Sequence, residues 1–216
     1  MKHFLVKEGE CIMYNYAENE NRRAIRQSAE KHQVKNLMHF TDVANLNNIL
    51  ERGLLTRETL NKKGYEYICS DNRRLDGRLD TISLSINGLN ERMFSQKLRD
   101  FKFRKTDWCI LVLDPSILWE KCNMFFTFNA ASMVYRNSNE NRTKVEHFEN
   151  MFSTKNPTEL YNDQAEVMCM NSIEPQYIKA CLFRDTRTAD KYREQLKRLN
   201  IDIYVDWRYS IKRMVA

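Results

Sequence analysis

Gln164 and Glu166 stand two residues apart at the start of an apolar run that continues through Val167, Met168 and Cys169. In a β-strand, residues i and i+2 point to the same face, so these two side chains are predicted to project side by side. An amide beside a carboxylate at a strand edge suits recognition of a hydroxyl-rich ligand such as a ribose. A solvated strand face has the same pattern, and the triplet alone does not separate the two interpretations.

Other polar residues with strand spacing occur upstream. Ser83 and Ser85 alternate with apolar residues over residues 81–86, which predicts a half-buried strand with both hydroxyls on one face. His39 and Thr41 alternate in the same way within a first predicted strand, residues 36–41. Such side chains can hydrogen-bond a ligand, and they equally occur as ordinary residues of a strand face.

The elements that must position these residues follow from periodicity and end signals. The clearest helix is 42–53, which Asp42 can cap and Gly53 ends. Further helices are predicted over residues 18–32, 145–151 and 188–199, and further strands over residues 108–113, 166–170, 177–183 and 201–207. Residues 57–80 are polar and are predicted to be mostly loop and short helix. Helices near both ends and strands between them predict an α+β fold, with a mixed or antiparallel β core and flanking helices.

Composition narrows the class of protein. The 216 residues allow one domain with a substantial core, and 42% hydrophobic with 30% charged residues is typical of a soluble protein. No apolar run approaches the roughly 20 residues that span a bilayer, and the first residues lack a signal peptide's apolar region. We therefore expect a cytoplasmic protein that does not contact a membrane. The absence of a glycine-rich phosphate loop excludes Rossmann and P-loop interpretations.

The cysteines and histidines do not suggest a metal site. The chain has six cysteines and four histidines, all widely scattered and without a C-x-x-C pair. Zinc sites need clustered ligands, and cysteines in apolar runs are usually buried, reduced thiols. We expect no metal and no disulfide.

The charge favours a polyanionic partner. Net charge is +6, from 35 Lys and Arg against 29 Asp and Glu, and basic residues concentrate in residues 92–105 and 179–198 and near the end, at Arg208, Lys212 and Arg213. Phe94, Phe101, Phe103 and Trp108 lie in or beside the first cluster. Basic residues among aromatics suit single-stranded nucleic acid, in which bases stack and phosphates pair. A solvated face above core aromatics is the alternative.

A series of short motifs gives these residues a common context. In chain order they are Asn36-Leu37-Met38-His39-Phe40-Thr41-Asp42, Arg74-Leu75-Asp76-Gly77, Ser83-Leu84-Ser85, Asn129-Ala130-Ala131-Ser132 and Gln164-Ala165-Glu166-Val167. Together they resemble the DarT family, which are toxins of the ADP-ribosyltransferase fold that modify bases of single-stranded DNA. The resemblance runs over residues 36–184, and residues 1–34 match none of its motifs. We therefore expect an N-terminal helical extension, residues 1–34, and an ADP-ribosyltransferase-like domain, residues 35–216.

The resemblance implies roles for individual residues. Breaking the nicotinamide–ribose bond of NAD builds positive charge on the ribose, so a nearby anion lowers the barrier, and Glu166 is the candidate with Gln164 as its helper. NAD is the implied co-substrate, with no metal. The implied NAD-binding residues are His39, Thr41, Asn45, Arg74, Ser83 and Ser85, and the implied substrate residues are Asn129 and Phe94. Arg74 is preferred to Arg73 and Arg78 only through its motif. Tyr65, Tyr67 and Phe94 are possible stacking groups, with a place in the core as the alternative.

The implied function is that of an NAD-dependent DNA ADP-ribosyltransferase toxin, a glycosyltransferase that releases nicotinamide and acts in phage defence. Its implied partners are single-stranded DNA and a macrodomain antitoxin, and we expect a monomer. Guanine is preferred to thymine as target because the sequence after Asp80 departs from that of the thymidine-modifying branch. Alternatives are the same chemistry on RNA or protein, and a catalytically silent nucleic-acid-binding module. A tRNA 2′-phosphotransferase would share the fold but rely on several basic residues.

Overall fold

A single mixed sheet organises the chain. The computed structural model describes residues 8–69, 76–100, 107–136, 138 and 140–206. The strands in these residues are β1 (Leu37–Asp42), β2 (Ile82–Ile86), β3 (Trp108–Leu113), β4 (Asn123–Phe126), β5 (Glu166–Cys169), β6 (Ile178–Phe183) and β7 (Asp202–Val205). Their order is β4-β5-β2-β1-β3-β6-β7, and each neighbouring pair is antiparallel except the parallel pair β6–β7. The predicted α+β class is confirmed.

Helices flank this sheet. Those in the described residues are α1 (Glu8–Lys31), α2 (Leu46–Arg52), α3 (Arg57–Lys63), α4 (Glu91–Arg99), α5 (Ile117–Glu120), α6 (Met133–Arg136), α7 (Val145–Glu149), α8 (Thr186–Asp190) and α9 (Arg193–Arg198). The helix predicted over residues 188–199 is two helices, and the one predicted over residues 42–53 opens with a 3-10 turn, Val43–Asn45. In that turn the Asp42 side chain accepts from the Ala44 N–H at 2.8 Å, as capping predicts.

Several short elements of the structure were not predicted, among them β4, α4, α5 and α6. β4 is four residues long and begins with the polar Asn123, so it shows neither alternation nor a long apolar run. α4 lies in the first basic cluster, where Asn90 caps it by accepting from the Met93 N–H at 3.0 Å. The basic residues of this helix are therefore presented on a regular amphipathic element.

The end of α2 is fixed by a close backbone approach. Gly53 ends the helix at φ 84°, and a Cβ built there would lie 2.2 Å from the Ile173 carbonyl oxygen. Leu54 and Ile173 exchange two backbone hydrogen bonds of 2.8 Å. Only glycine fits this position, and the contact anchors α2 beside the segment that leads into β6.

The hydrophobic core joins the sheet to the first helix. One large buried cluster combines residues of several strands with Ile25 and Ala29 of α1. A second cluster surrounds Trp108 and Ile110 on the β3 side. Because α1 shares the main core, it packs as a part of the domain, while the division at residue 34 stays a prediction.

The described cysteines are free thiols. Burial raises the pKa of the Cys109 thiol well above its usual value, as do a hydrogen bond and charge interaction with Cys181. Burial also raises the pKa of Cys169 to about 11. Within the part of the chain that the structure describes, no cluster of three metal-binding side chains occurs, and no helix is long and apolar enough to cross a bilayer.

Candidate active site

The centre of the sheet opens into a fork. β1 and β2 pair at Leu37↔Ile86 and Met38↔Ser85, whereas the same β1 pairs with β3 along its whole length. Beyond Met38 the chain of β1 and the chain of β2 separate, and a cavity of about 230 Å³ lies at this fork. The predicted site residues His39, Thr41, Asn45, Ser83, Ser85, Asn129 and Glu166 all line it.

Glu166 is held by two donors at the wall of this cavity. Ser83 pairs with Met168 across β2 and β5, and Glu166 lies two residues before Met168 on the same face. The Ser83 hydroxyl donates to one carboxylate oxygen, and the Ala130 N–H donates to the other at 2.9 Å. The side chain is 9% exposed. Its carboxylate is thus oriented by a hydroxyl and a backbone amide, which leaves it able to act as an anion at a fixed place.

His39 connects β1 and β2 where the two strands separate. Its Nδ1 lies 2.9 Å from the Ser83 carbonyl oxygen, and because a carbonyl only accepts, the proton is assigned to Nδ1. This contact replaces the ladder hydrogen bonds that β1 and β2 no longer make. His39 and Glu166 are therefore both connected to Ser83, one through its carbonyl and one through its hydroxyl.

Asn45 lines the cavity, but its side-chain amide hydrogen-bonds other groups of the protein. Its Nδ2 donates to Thr41 Oγ1 at 3.0 Å and to the Ile68 carbonyl at 2.7 Å, and its Oδ1 accepts from the Ile68 N–H at 2.9 Å. Ile68 belongs to residues 65–69, a segment outside helices and strands that we call the strap. All five strap residues line the cavity.

Asn129 lies in a turn beside the carboxylate. Its Oδ1 accepts from the Ala131 N–H at 2.8 Å, so the amide is oriented by the turn itself. The intervening Ala130 N–H is the one that donates to Glu166. The Asn129-Ala130-Ala131-Ser132 motif thus builds part of the carboxylate's support as well as part of the cavity wall.

Arginines other than the predicted one line the cavity. Arg74 lies outside the described residues, as do Arg73, Phe101, Phe103 and Arg208. Two cavity residues are Arg52, at the end of α2, and Arg57, at the start of α3. They supply positive charge to a cavity whose wall also carries the negative Glu166. Sequence reasoning assigned a role to neither, although Arg52 lies in residues 48–55, a stretch that also resembles the DarT family, and donates to Asn48 at 2.6 Å.

Gln164 is in a different place from the one predicted. β5 begins at Glu166, and Gln164 lies in the preceding turn, where its N–H donates to Asn162 Oδ1 at 2.9 Å. It is half-buried and is absent from the cavity wall. The expectation of two neighbouring side chains on one strand face was wrong, because the extended conformation does not reach back to residue 164.

Phe94 is a core residue. It is 6% exposed and packs with Phe40 and Trp108, with ring centroids 5.1 and 6.0 Å away. The expected stacking against a substrate is not available to a ring enclosed in this way. Exposed aromatics occur instead in the segment between β4 and β5, where Phe128 and Tyr161 meet edge to face at 6.1 Å. Tyr161 opens the polar stretch Asn162-Asp163-Gln164, and Phe128 follows Phe125 and Phe126 closely. Sequence reasoning assigned a role to neither aromatic.

The family model for DarT, described as ssDNA thymidine ADP-ribosyltransferase, matches residues 38–210. The chain belongs to the DarT family. The resemblance that the motifs indicated is thereby confirmed, and the match covers both the cavity residues of β1 and Glu166. None of the curated proteins matches this DarT-family chain.

Solved structures share the fold. Thermosipho africanus DarTG in complex with ADP-ribose is 17% identical with a TM-score of 0.55, over 80% of this chain and 50% of that one. Thermus sp. 2.9 DarT in complex with NAD+ is 12% identical with a TM-score of 0.51, over 79% of this chain and 94% of that one. The same Thermus protein in complex with ADP-ribosylated ssDNA is 11% identical with a TM-score of 0.50, over 80% of this chain and 94% of that one. The DarT-family chain thus spans half of the DarTG chain it matches.

Proposed function

We propose that this chain transfers ADP-ribose from NAD to a thymidine base of single-stranded DNA and releases nicotinamide. The observation that carries the proposal is the Glu166 carboxylate, held by the Ser83 hydroxyl and the Ala130 N–H at the wall of the β1–β2 cavity. Family membership supports the reaction class, and the cavity supplies a fixed anion where such a reaction needs one.

The chemistry requires few groups. The bond between the ribose C1′ and the nicotinamide nitrogen breaks, and nicotinamide leaves with the bonding electrons. Positive charge develops at the ribose, which Glu166 stabilises. A ring nitrogen of the base then forms the new bond to C1′ and loses its proton. In thymidine that nitrogen is N3, since N1 already bears the sugar, and Glu166 is the group placed to accept the proton.

The remaining cavity residues suit the rest of NAD. His39 and Thr41 offer hydrogen bonds to ribose hydroxyls, and Arg52 and Arg57 offer positive charge to a pyrophosphate. The strap and the aromatic wall around Trp108 provide apolar surface for the ring systems. Arg74 and Ser85 keep their proposed NAD-binding roles.

Exposed apolar residues near Glu166 support a substrate with unpaired bases. Phe128 is 37% exposed and adjoins the cavity residue Asn129, and Tyr161 is 64% exposed. Met133 and Val134 of α6 are also largely exposed. Aromatic and apolar side chains next to a catalytic cavity, on a chain of net charge +6, favour single-stranded nucleic acid over a protein target.

Thymidine replaces guanine as the proposed target base. The guanine preference came from a local departure in sequence after Asp80, and no finding supports it. The description of the family model names thymidine. The proposed setting is a toxin neutralised by a macrodomain antitoxin that removes the ADP-ribose, consistent with the DarTG pairing in Thermosipho africanus. A monomeric state and a role in phage defence belong to the same proposal.

Incubation of the purified protein with NAD and single-stranded oligonucleotides tests the proposal. Each oligonucleotide carries thymine, guanine, adenine or cytosine at one position in an otherwise constant context, and mass spectrometry detects added ADP-ribose. The thymine oligonucleotide is expected to gain one ADP-ribose. Glu166→Gln, which keeps the shape and removes the charge, should lower the rate about 100-fold or more.

Glu146→Gln is the matched control, because Glu146 is an exposed glutamate of α7 outside the cavity. It should react like the wild type. Addition to guanine instead of thymine would restore the earlier target preference. Addition only to RNA or to protein would contradict the DNA assignment, and no addition to any of them would identify a catalytically silent binding module.

A further inference from the structure

The amide of Asn45 is committed to the protein itself. Both of its N–H groups donate, one to Thr41 Oγ1 and one to the Ile68 carbonyl, and its oxygen accepts from the Ile68 N–H. The two contacts with Ile68 reproduce the paired hydrogen bonds that a neighbouring β-strand would make. A side chain of β-like geometry thus ties the strap to the start of α2.

Other contacts hold the beginning of the strap. Its first residue, Tyr65, donates its N–H to the Leu60 carbonyl at 3.0 Å, directly after the left-handed Gly64. The Tyr65 ring lies 4.7 Å from the Arg52 guanidinium. Tyr67 reaches Asn61 through its hydroxyl at 3.2 Å. These contacts fix the beginning of the strap, and the Asn45 amide fixes its far end.

We propose that Asn45 is a positioning residue that holds the strap as a wall of the NAD cavity, and that it does not itself bind the nicotinamide end. The inference rests on the proposed function for the identity of the ligand. It replaces the direct contact expected from the resemblance, because the N–H groups that would serve the ligand already serve Thr41 and Ile68.

The start of the helix does not need this side chain. Asn45 occupies the N-cap of α2 yet makes no capping hydrogen bond with its side chain. The turn before it is capped by Asp42, which accepts from the Ala44 N–H. Removing the Asn45 amide should therefore release the strap and leave α2 in place.

We call the two hydrogen bonds between Asn45 and Ile68 the clasp, and its loss has a specific kinetic consequence. A strap that samples open states lowers the fraction of protein with a complete cavity, so the apparent affinity for NAD falls by that fraction. Glu166, Ser83 and Ala130 lie on other elements, and the chemical step keeps its geometry. KM for NAD should rise about tenfold while kcat stays within about twofold of the wild type.

Hydrogen exchange of the protein without NAD tests the clasp directly. The Ile68 amide of Asn45→Ala should exchange about tenfold or more faster than that of the wild type, since the Ile68 N–H loses its acceptor and the Ile68 carbonyl loses its donor. Asn45→Asp keeps the acceptor but loses both N–H donors, so its Ile68 amide should exchange at an intermediate rate. Asn47→Ala, an exposed asparagine of the same helix, is the matched control and should match the wild type.

Unchanged Ile68 exchange in Asn45→Ala would overturn the proposal. If calorimetry also showed weaker NAD binding by that variant, Asn45 would contact NAD directly. A wild-type protein that fails to bind NAD contradicts the proposed function instead, and the exchange of the free protein still decides whether the clasp exists.

Discussion

At the scale of single residues, Ser83 connects the two halves of the candidate site. Its hydroxyl donates to Glu166 and its carbonyl accepts from His39. A serine hydroxyl can rotate to donate where it is needed, which suits it to orient a carboxylate whose other oxygen is already held by a backbone amide. In the proposed reaction the Glu166 carboxylate stabilises the ribose cation, and the Ser83 hydroxyl helps to orient that carboxylate.

Ser83→Ala should slow catalysis without weakening NAD binding. The variant loses one hydrogen bond to a charged group and leaves the strand intact, so kcat should fall about tenfold to a hundredfold while KM for NAD changes little. Single-turnover transfer to a thymine oligonucleotide measures this. Ser95→Ala, in α4 and away from the cavity wall, is the control. A Ser83→Ala enzyme of wild-type kcat would mean that Ala130 alone orients Glu166.

At the scale of elements, asparagine side chains join segments that share no ladder. The Asn21 amide pairs with the backbone of Thr143 and Val145, and the Asn45 amide pairs with Ile68. Asn87, directly after β2, instead extends the end of the β1–β2 ladder by accepting from the N–H groups of Lys35 and Asn36. An amide carries a donor and an acceptor in the spacing of a peptide group, so it can replace a strand where the chain is irregular.

The junction after α2 is the element most sensitive to substitution. Gly53→Ala places a Cβ against the Ile173 carbonyl at positive φ, and the free energy of unfolding should fall by about 3 kcal/mol or more. Gly64→Ala, at φ 66° with no atom within 4 Å of the new Cβ, should cost about 1 kcal/mol. Urea unfolding of both variants measures the difference. Equal losses would show that strain at positive φ, and not the close approach, limits Gly53.

At the scale of the whole molecule, α1 and the segment leading to Glu166 form one assembly. The Ser28 hydroxyl donates to Glu149 at 2.9 Å and Lys31 lies 3.3 Å from the same oxygen. His32 of the same region stacks on Phe152 with ring centroids 3.9 Å apart. The first helix thus packs against the chain between β4 and β5, which also carries Asn129.

The contact of Glu149 with Ser28 and Lys31 should depend on pH. The Ser28 hydrogen bond and the Lys31 charge outweigh burial and lower the pKa of Glu149 from its ordinary 4.5. A lowered folded-state pKa means that the stabilisation is complete above about pH 4.5 and is lost as the pH falls through the folded value. Glu149→Gln should be slightly less stable than the wild type near neutral pH, by under about 1 kcal/mol, because the side chain is 43% exposed.

Urea unfolding at several pH values measures the difference in the free energy of unfolding between Glu149→Gln and the wild type. This difference should narrow below about pH 4.5. Glu146→Gln, at an exposed residue of the same helix, is the control for replacing a surface glutamate of α7. A Glu149→Gln gap that does not change with pH would mean that packing, and not ionisation, accounts for the contact.

Much of the fold could be predicted from local patterns. The alternation over residues 81–86 predicted β2, and the apolar run ending at Leu113 predicted β3, since the side-chain period of a strand is visible in sequence. β4 could not be predicted in this way, because it is only four residues long and begins with the polar Asn123, so it shows neither alternation nor a long apolar run. Phe94 and Gln164 were misplaced for a related reason, as exposure and the first residue of a strand depend on what packs nearby.

The sequence by itself determined the family, the α+β class and the choice of Glu166 as the candidate carboxylate, because short motifs and periodicity are local patterns that a sequence shows directly. Only the tertiary structure decided that β1 and β2 separate beyond Met38, that Ser83 and Ala130 hold Glu166, and that Asn45 is committed to Ile68. Each of these contacts joins residues more than 20 positions apart. Such pairings depend on the register of the sheet and the path of the loops, and no local pattern specifies them.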